Sequence, residues 1–220
     1  MKQFQALFRS HADDFRVYLS VLFFPFLAVH LILFGVMAIF HPQDTPLFAN
    51  FMLTFLLSMV AFLSAFSHMT VSFSQYISFG CNRKRALTLA FGVSALQTAC
   101  CTLFTILLSL AEPELTLSLC RRLSGNPVDP AFHLPVEFWV YPLAALGALV
   151  LGLIAAAVLL RFGRVGGWVL YGVFMAVCFA PQYLPWESYT ITDWLWPLLL
   201  IVAAAALIWS IHTLLHLSIS

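Results

Sequence analysis

The sequence predicts an all-α membrane protein with six transmembrane helices, both termini cytoplasmic, and an N-terminal amphipathic interfacial helix. Three observations predict it. Of the 220 residues, 62% are hydrophobic and 9% charged, where a water-soluble chain carries about a quarter charged residues. Several runs of roughly 20 residues lack charge altogether, the length a helix needs to cross a bilayer. Eight of the ten basic residues fall on one side of an alternating topology, and the side rich in Lys and Arg faces the cytoplasm. A transmembrane β-barrel would instead alternate apolar and polar residues in segments of about ten, a pattern absent from this sequence.

Residues 1–16 are expected to form a cytoplasmic amphipathic helix, because Phe4, Leu7, Phe8 and Phe15 recur at roughly helical spacing among charged residues. Residues 17–220 are expected to form one six-span domain. Span one is Val17–Phe40, containing Pro25, His30 and Gly35, and closes on the turn His41-Pro42-Gln43-Asp44. It begins too late and runs too long for a cleavable signal. Span two is Leu47–Ser74. A polar turn centred on residues 75–91 carries Arg83, Lys84 and Arg85 and leads into span three, Ala86–Leu110. A longer outer loop is expected from Ala111 to Pro135, with Glu112, Glu114, Arg121 and Arg122, and with one short interfacial helix over Pro113–Leu123.

Span four is Val136–Leu160. The tight turn Arg161-Phe162-Gly163-Arg164 leads into span five, Val165–Phe179. In the next loop Tyr183, Trp186, Tyr189, Trp194 and Trp196 have the composition of an aromatic belt at a membrane interface. Span six is Pro197–Leu217. With the N-terminus inside, the inner segments hold Lys2, Arg9, Arg16, Arg83, Lys84, Arg85, Arg161 and Arg164, and the outer loops hold only Arg121 and Arg122.

Polar residues inside these spans are the first candidates for function. Span two carries Thr54, Ser58, Ala61, Ala65, His68 and Ser72 along one face, and span three carries Ser94, Gln97, Thr98, Cys101 and Thr105. Such faces turn into a bundle, where hydroxyls bond neighbouring helices. Ser58, His68, Ser72, Ser94, Gln97 and Thr98 also offer a pathway lining, although ordinary helix packing explains the same stripes. His30 and His68 are the ionisable groups well inside the expected spans, and intramembrane ionisable residues merit a functional hypothesis. In span four, Ala144, Ala148, Gly152 and Ala156 make a small-residue ridge that reads as packing.

His212 and His216, one turn apart, are two ligands at most and fit an interfacial position better than a metal site. The five cysteines show neither a CxxC spacing nor a His/Cys cluster. No HExxH, GxSxG or Walker A motif occurs. The chain is therefore not expected to be an enzyme, to hold a metal or cofactor, or to bind nucleic acid.

The segment Ser78-Phe79-Gly80-Cys81-Asn82-Arg83-Lys84-Arg85-Ala86-Leu87 resembles a turn of the small six-span ABC-2-type permease family. That turn follows span two and reads apolar-Gly-x-[Ser/Thr]-Arg-[Lys/Arg]. Gly80, Arg83 and Lys84 match it, and Asn82 stands where the family has a hydroxyl residue. In outline the resemblance covers the whole chain, but only about these ten residues are specific. The re-entrant hairpin many members carry before span six has no clear counterpart in Pro181–Trp196.

The resemblance implies an ATPase-coupling turn made of Gly80, Asn82, Arg83, Lys84 and Arg85, resting on a separate ATP-binding cassette ATPase that carries the ATP and Mg. It also implies a second permease chain, as a homo- or heterodimer, and export of a peptide, lipid or drug-like molecule. Two other readings fit the composition. One is a stand-alone membrane scaffold or immunity-type protein, and the other a proton-coupled transporter using His68.

Overall fold

The computed structural model describes residues 12–40, 44–47, 49–124, 129–133, 137–183 and 192–216. Helices dominate it. In chain order they are α1 (Ala12–Phe40), α2 (Ala49–Ser67), α3 (Phe73–Ser78), α4 (Arg83–Ser124), α5 (Val140–Tyr183) and α6 (Thr192–His216). A five-residue π-helical segment, His68–Ser72, joins α2 to α3 without a break, so that one rod runs from Asn50 to Ser78. Two short strands, β1 (Asp44–Leu47) and β2 (Asp129–His133), pair in parallel. Residues 1–11 of the expected amphipathic helix lie outside the described residues, as do most of the turn at 41–44 and residues 184–191 of the aromatic loop. Ala12–Arg16 form the first turn of α1.

Among the described residues, four helical stretches are long and apolar enough to cross a membrane: Ala12–Val36, Asn50–Ser78, Arg83–Thr116 and Val140–Met175. A shorter apolar helix covers Ile201–His216. These helices invert the arrangement of a soluble protein. Val17, Phe24 and Leu31, seven residues apart, are each about 60% exposed, while Ser64, Ser94 and Thr105 are fully buried. Apolar outside and polar inside suits lipid as the surrounding solvent, where hydroxyls must find partners within the bundle. The chain is thus a multi-pass membrane protein by length, composition and surface.

The described residues group into two compact units. The first comprises 1–61 and 95–148, the second 62–94 and 149–220. In the first, Phe26 and Leu53 form a core patch with Val29 and Leu108 against it. Here β1 and β2 join the two connectors expected on the outer side, with Asp44 opposite Asp129 and Leu47 opposite His133. In the second, Met69, Phe73, Ala86, Ala90, Leu153, Ala156, Ala157 and Leu214 form the core.

The small-residue ridge of span four does what its spacing suggests. A Cβ on Gly152 would fall 2.5 Å from the Phe62 carbonyl oxygen and 2.9 Å from the Ala65 Cβ. Only glycine lets α2 and α5 approach so closely there.

Spans four and five appear as one long helix, α5, with a break at Gly163, whose φ of 56° and ψ of −130° are not helical. The break is sharp. A Cβ on Gly166 would lie 2.7 Å from the Val158 carbonyl oxygen, eight residues earlier, whereas an unbroken helix would separate those positions by about 12 Å. The chain folds at the Arg161–Arg164 turn and packs back on itself.

The outer loop expected from Ala111 is a different matter. α4 continues through Pro113 to Ser124, 42 residues in all. The Leu-rich sequence beyond Pro113 keeps a helical period, so the expected separate interfacial helix is an extension of span three. At 1.5 Å per residue, α4 is roughly 63 Å long, about twice the hydrocarbon thickness.

Candidate functional site

The turn between α3 and α4 is built from two helix-capping devices. Gly80 has φ +81°. Its N–H donates to the Ile77 carbonyl at 2.9 Å, and the Cys81 N–H donates to the Tyr76 carbonyl at 3.0 Å. This pair of bonds is the Schellman motif, which satisfies the last carbonyls of α3 and requires a left-handed residue after the C-cap. Two residues on, Asn82 opens α4. Its carbonyl accepts the Ala86 N–H at 2.9 Å and its Oδ1 accepts the Lys84 N–H at 3.3 Å, as an N-cap does. Asn caps a helix here as Ser or Thr would. One helix stops at Ser78 and the next starts at Arg83, and both ends are hydrogen-bonded.

The three cations divide. Arg83 is half-buried, and its Nη1 donates to the Leu215 carbonyl at 3.5 Å. Leu215 lies in the last turn of α6, where unpaired carbonyls and the helix dipole favour a cation. Lys84 and Arg85 are exposed. The second basic turn reaches the same helix end. Arg161 Nη1 donates to Thr213 Oγ1 at 3.5 Å, and its guanidinium carbon lies 5.7 Å from both the Phe162 and Trp209 rings. Those rings are near-parallel at 6.4 Å. The last turns of α6 thus gather Arg83 and Arg161, with Lys84, Arg85 and Arg164 close in sequence. His212 and His216 also lie there, exposed, with ring centroids 4.5 Å apart. No group of three or more His, Cys, Asp or Glu that could hold a metal occurs among the described residues.

The expected pathway residues fall in both units. His68, buried at the start of the π segment, has its Nδ1 3.1 Å from Ser72 Oγ. Ser94, in the same unit, donates to the Phe91 carbonyl at 2.9 Å. Ser58, Gln97 and Thr98 belong to the other unit. Ser58 donates to the Thr54 carbonyl at 2.9 Å, while Gln97 and Thr98 are buried. Ser58 and Ser94 thus bond carbonyls of their own helices.

Sequence reasoning placed Thr98 and Thr105 on a polar face of span three but missed how far that buried row continues along α4. Thr98, Thr102, Thr105, Ser109, Glu112 and Thr116 follow one another at three- and four-residue spacing, each less than 9% exposed. Glu112, expected in an outer loop, is 2% exposed. The signal was present in the spacing, which passes Pro113 unbroken, but proline marked a boundary that the helix does not observe. Across from it, His30 of α1 is buried, with Nδ1 2.9 Å from the Phe26 carbonyl and Nε2 3.4 Å from Thr116 Oγ1.

Comparison with protein-family models, with curated proteins and with solved structures finds no match for this chain.

Proposed function

We propose that the chain is the permease subunit of an ABC-2-type transporter in the bacterial cytoplasmic membrane, with six spans and both termini inside. It pairs with a second permease chain, and a separate ATP-binding cassette ATPase energises it. Its cargo is an exported peptide, lipid or drug-like molecule. The chain itself supplies the route and performs no chemical step.

The observation that carries this reading is the doubly capped turn at Gly80–Asn82. A loop that yields under load cannot pass on a partner's movement, whereas one with both helix ends hydrogen-bonded can. Arg83 ties it to the end of α6, while Lys84 and Arg85 present charge outward to an acidic groove. The two basic turns meet at the end of α6, which supports a common side for them, and the pairing of β1 with β2 supports a common side for their two connectors.

The test is the composition of the particle drawn from native membranes in mild detergent. This reading expects two permease-type chains with a Walker-motif ATPase. A monomeric particle free of ATPase, both in detergent and in the membrane, would favour the scaffold reading instead.

One observation favours a second reading, proton-coupled transport through His68. This histidine is buried at the start of a π-helical segment, and such segments recur at functional sites. Under that reading His68→Gln abolishes transport driven by a pH gradient, whereas the ATPase-driven reading expects transport to persist.

A further inference from the structure

The second arm of α5 begins at Arg164, directly after the break at Gly163. Arg164, Gly167, Trp168 and Tyr171 follow at the i, i+3, i+4 and i+7 spacing of one helix face. Together they line a groove of about 590 Å³, within the range of roughly 300–1,000 Å³ that small-ligand sites occupy. Gly167 leaves the hollow, having no side chain, and Leu159 of the first arm lies 3.7 Å from the position of its Cβ. Trp168 and Tyr171 flank it, their rings edge to face at 6.2 Å, and they are 66% and 55% exposed.

The chemistry of this face is graded along the helix. At its start the exposed Arg164 has no hydrogen bond or ion pair among the described residues. Arg83 and Arg161, by contrast, both reach α6. Along the chain no acidic residue occurs between Glu137 and Glu187 to neutralise Arg164. At 1.5 Å per residue, Trp168 lies about 6 Å and Tyr171 about 10 Å further along the axis. Val169, Val173 and Phe174 then continue the arm, exposed and apolar. A bilayer has the same order, with phosphates outermost, an interfacial layer about 5–8 Å deep, and hydrocarbon below. Trp and Tyr favour that interfacial layer.

We propose that this groove binds one anionic glycerophospholipid, its phosphate on Arg164 and an acyl chain along Gly167 between Trp168 and Tyr171. A guanidinium presents two parallel N–H donors to two phosphate oxygens, which an unpaired arginine at a membrane edge is free to do. Trp168 Nε1–H and Tyr171 O–H also have no hydrogen-bond partner among the described residues. They are donors for the ester carbonyls that lie below the phosphate. An anionic lipid is favoured over a zwitterionic one, whose own amine competes with Arg164 for the phosphate. The proposal is independent of what energises the chain.

The test is native mass spectrometry of the full-length protein, released from nanodiscs of equal parts dioleoyl phosphatidylglycerol and dioleoyl phosphatidylcholine. Wild type should retain phosphatidylglycerol over phosphatidylcholine by about tenfold, the worth of a hydrogen bond to a charged group. Arg164→Gln should abolish that preference. Arg16→Gln, which removes an exposed cation paired with Asp13, should leave it. Gly167→Leu fills the groove and should lose both lipids.

Equal retention of the two lipids by wild type, or a preference unmoved by Arg164→Gln, would overturn the proposal. Displacement of the lipid by millimolar inorganic phosphate would mark a free-anion site and overturn it too. So would a Gly167→Leu variant that keeps its lipid but loses a second copy of the chain, since the face would then serve self-association. Should Gly167→Leu fail to fold, the Arg164→Gln preference decides.

Discussion

Gly80 and Asn82 show how little chain is needed to fix a turn. Gly80 has open space around the position of a Cβ, so substitution there meets no wall, only the backbone. Its φ of +81° costs a β-branched residue about 1–2 kcal/mol. Gly80→Val should therefore lower the unfolding free energy of the reconstituted protein by that amount. Asn82→Ala should cost about 1 kcal/mol and Asn82→Ser close to nothing, since Ser caps as Asn does. Reversible denaturation in mixed micelles measures all three.

Both residues were legible in the sequence, because glycine past a helix end and Asn before a helix start have fixed local meanings. Arg83 was only half legible. Its place in a basic run suggested three equivalent cations, and nothing local announces a bond to Leu215, 132 positions away. Glu112 was misread for a similar reason. Charge beside proline reads as loop, and only the tertiary contacts of α1 and α5 make that position an interior one.

Helix packing in this protein turns on two glycines that accept backbone from a neighbour. Gly152→Leu would drive a side chain into the Phe62 carbonyl, and Gly166→Leu into that of Val158. Overpacking of this kind costs about 1–3 kcal/mol, and backbone yields less readily than a side chain tip. Gly35, with nothing within 4 Å of its Cβ position, is the control. Folded yield after purification, read by size-exclusion chromatography, should fall for Gly152→Leu and Gly166→Leu and hold for Gly35→Leu.

The sequence made the first of these glycines visible through the Ala144–Ala156 ridge. It made the second visible only as part of a tight turn, since the fold-back at Gly163 depends on φ and ψ. The helical class and the long apolar helices were plain from composition alone, because lipid demands them of any spanning chain. The β1–β2 pairing was not, for its strands are four and five residues long and carry proline.

A topology with both termini inside makes a direct prediction for the intact chain. In a background without native cysteines, single cysteines at Gln43, Asn126 and Ser188 should react with an impermeant thiol reagent added outside. One at Arg164 should react only after the membrane is opened, and outside labelling there would overturn the six-span arrangement.

The coupling role proposed for the Gly80–Asn82 turn rests on a narrower point, the part each of its cations plays. Arg83 donates to the Leu215 carbonyl of α6, and Lys84 and Arg85 are exposed. If they only anchored the chain at anionic headgroups, each would contribute about 1 kcal/mol to membrane attachment, and the remaining inner basic residues would hold the topology without them. The deciding measurement is ATP turnover by the partner ATPase in proteoliposomes, wild type against Lys84→Gln with Arg85→Gln, at equal insertion and equal permease content. Coupling predicts that stimulated turnover and ATPase pull-down fall about tenfold or more, a loss of at least 1.4 kcal/mol of association. Turnover and pull-down equal to wild type would contradict it and leave the turn a membrane anchor.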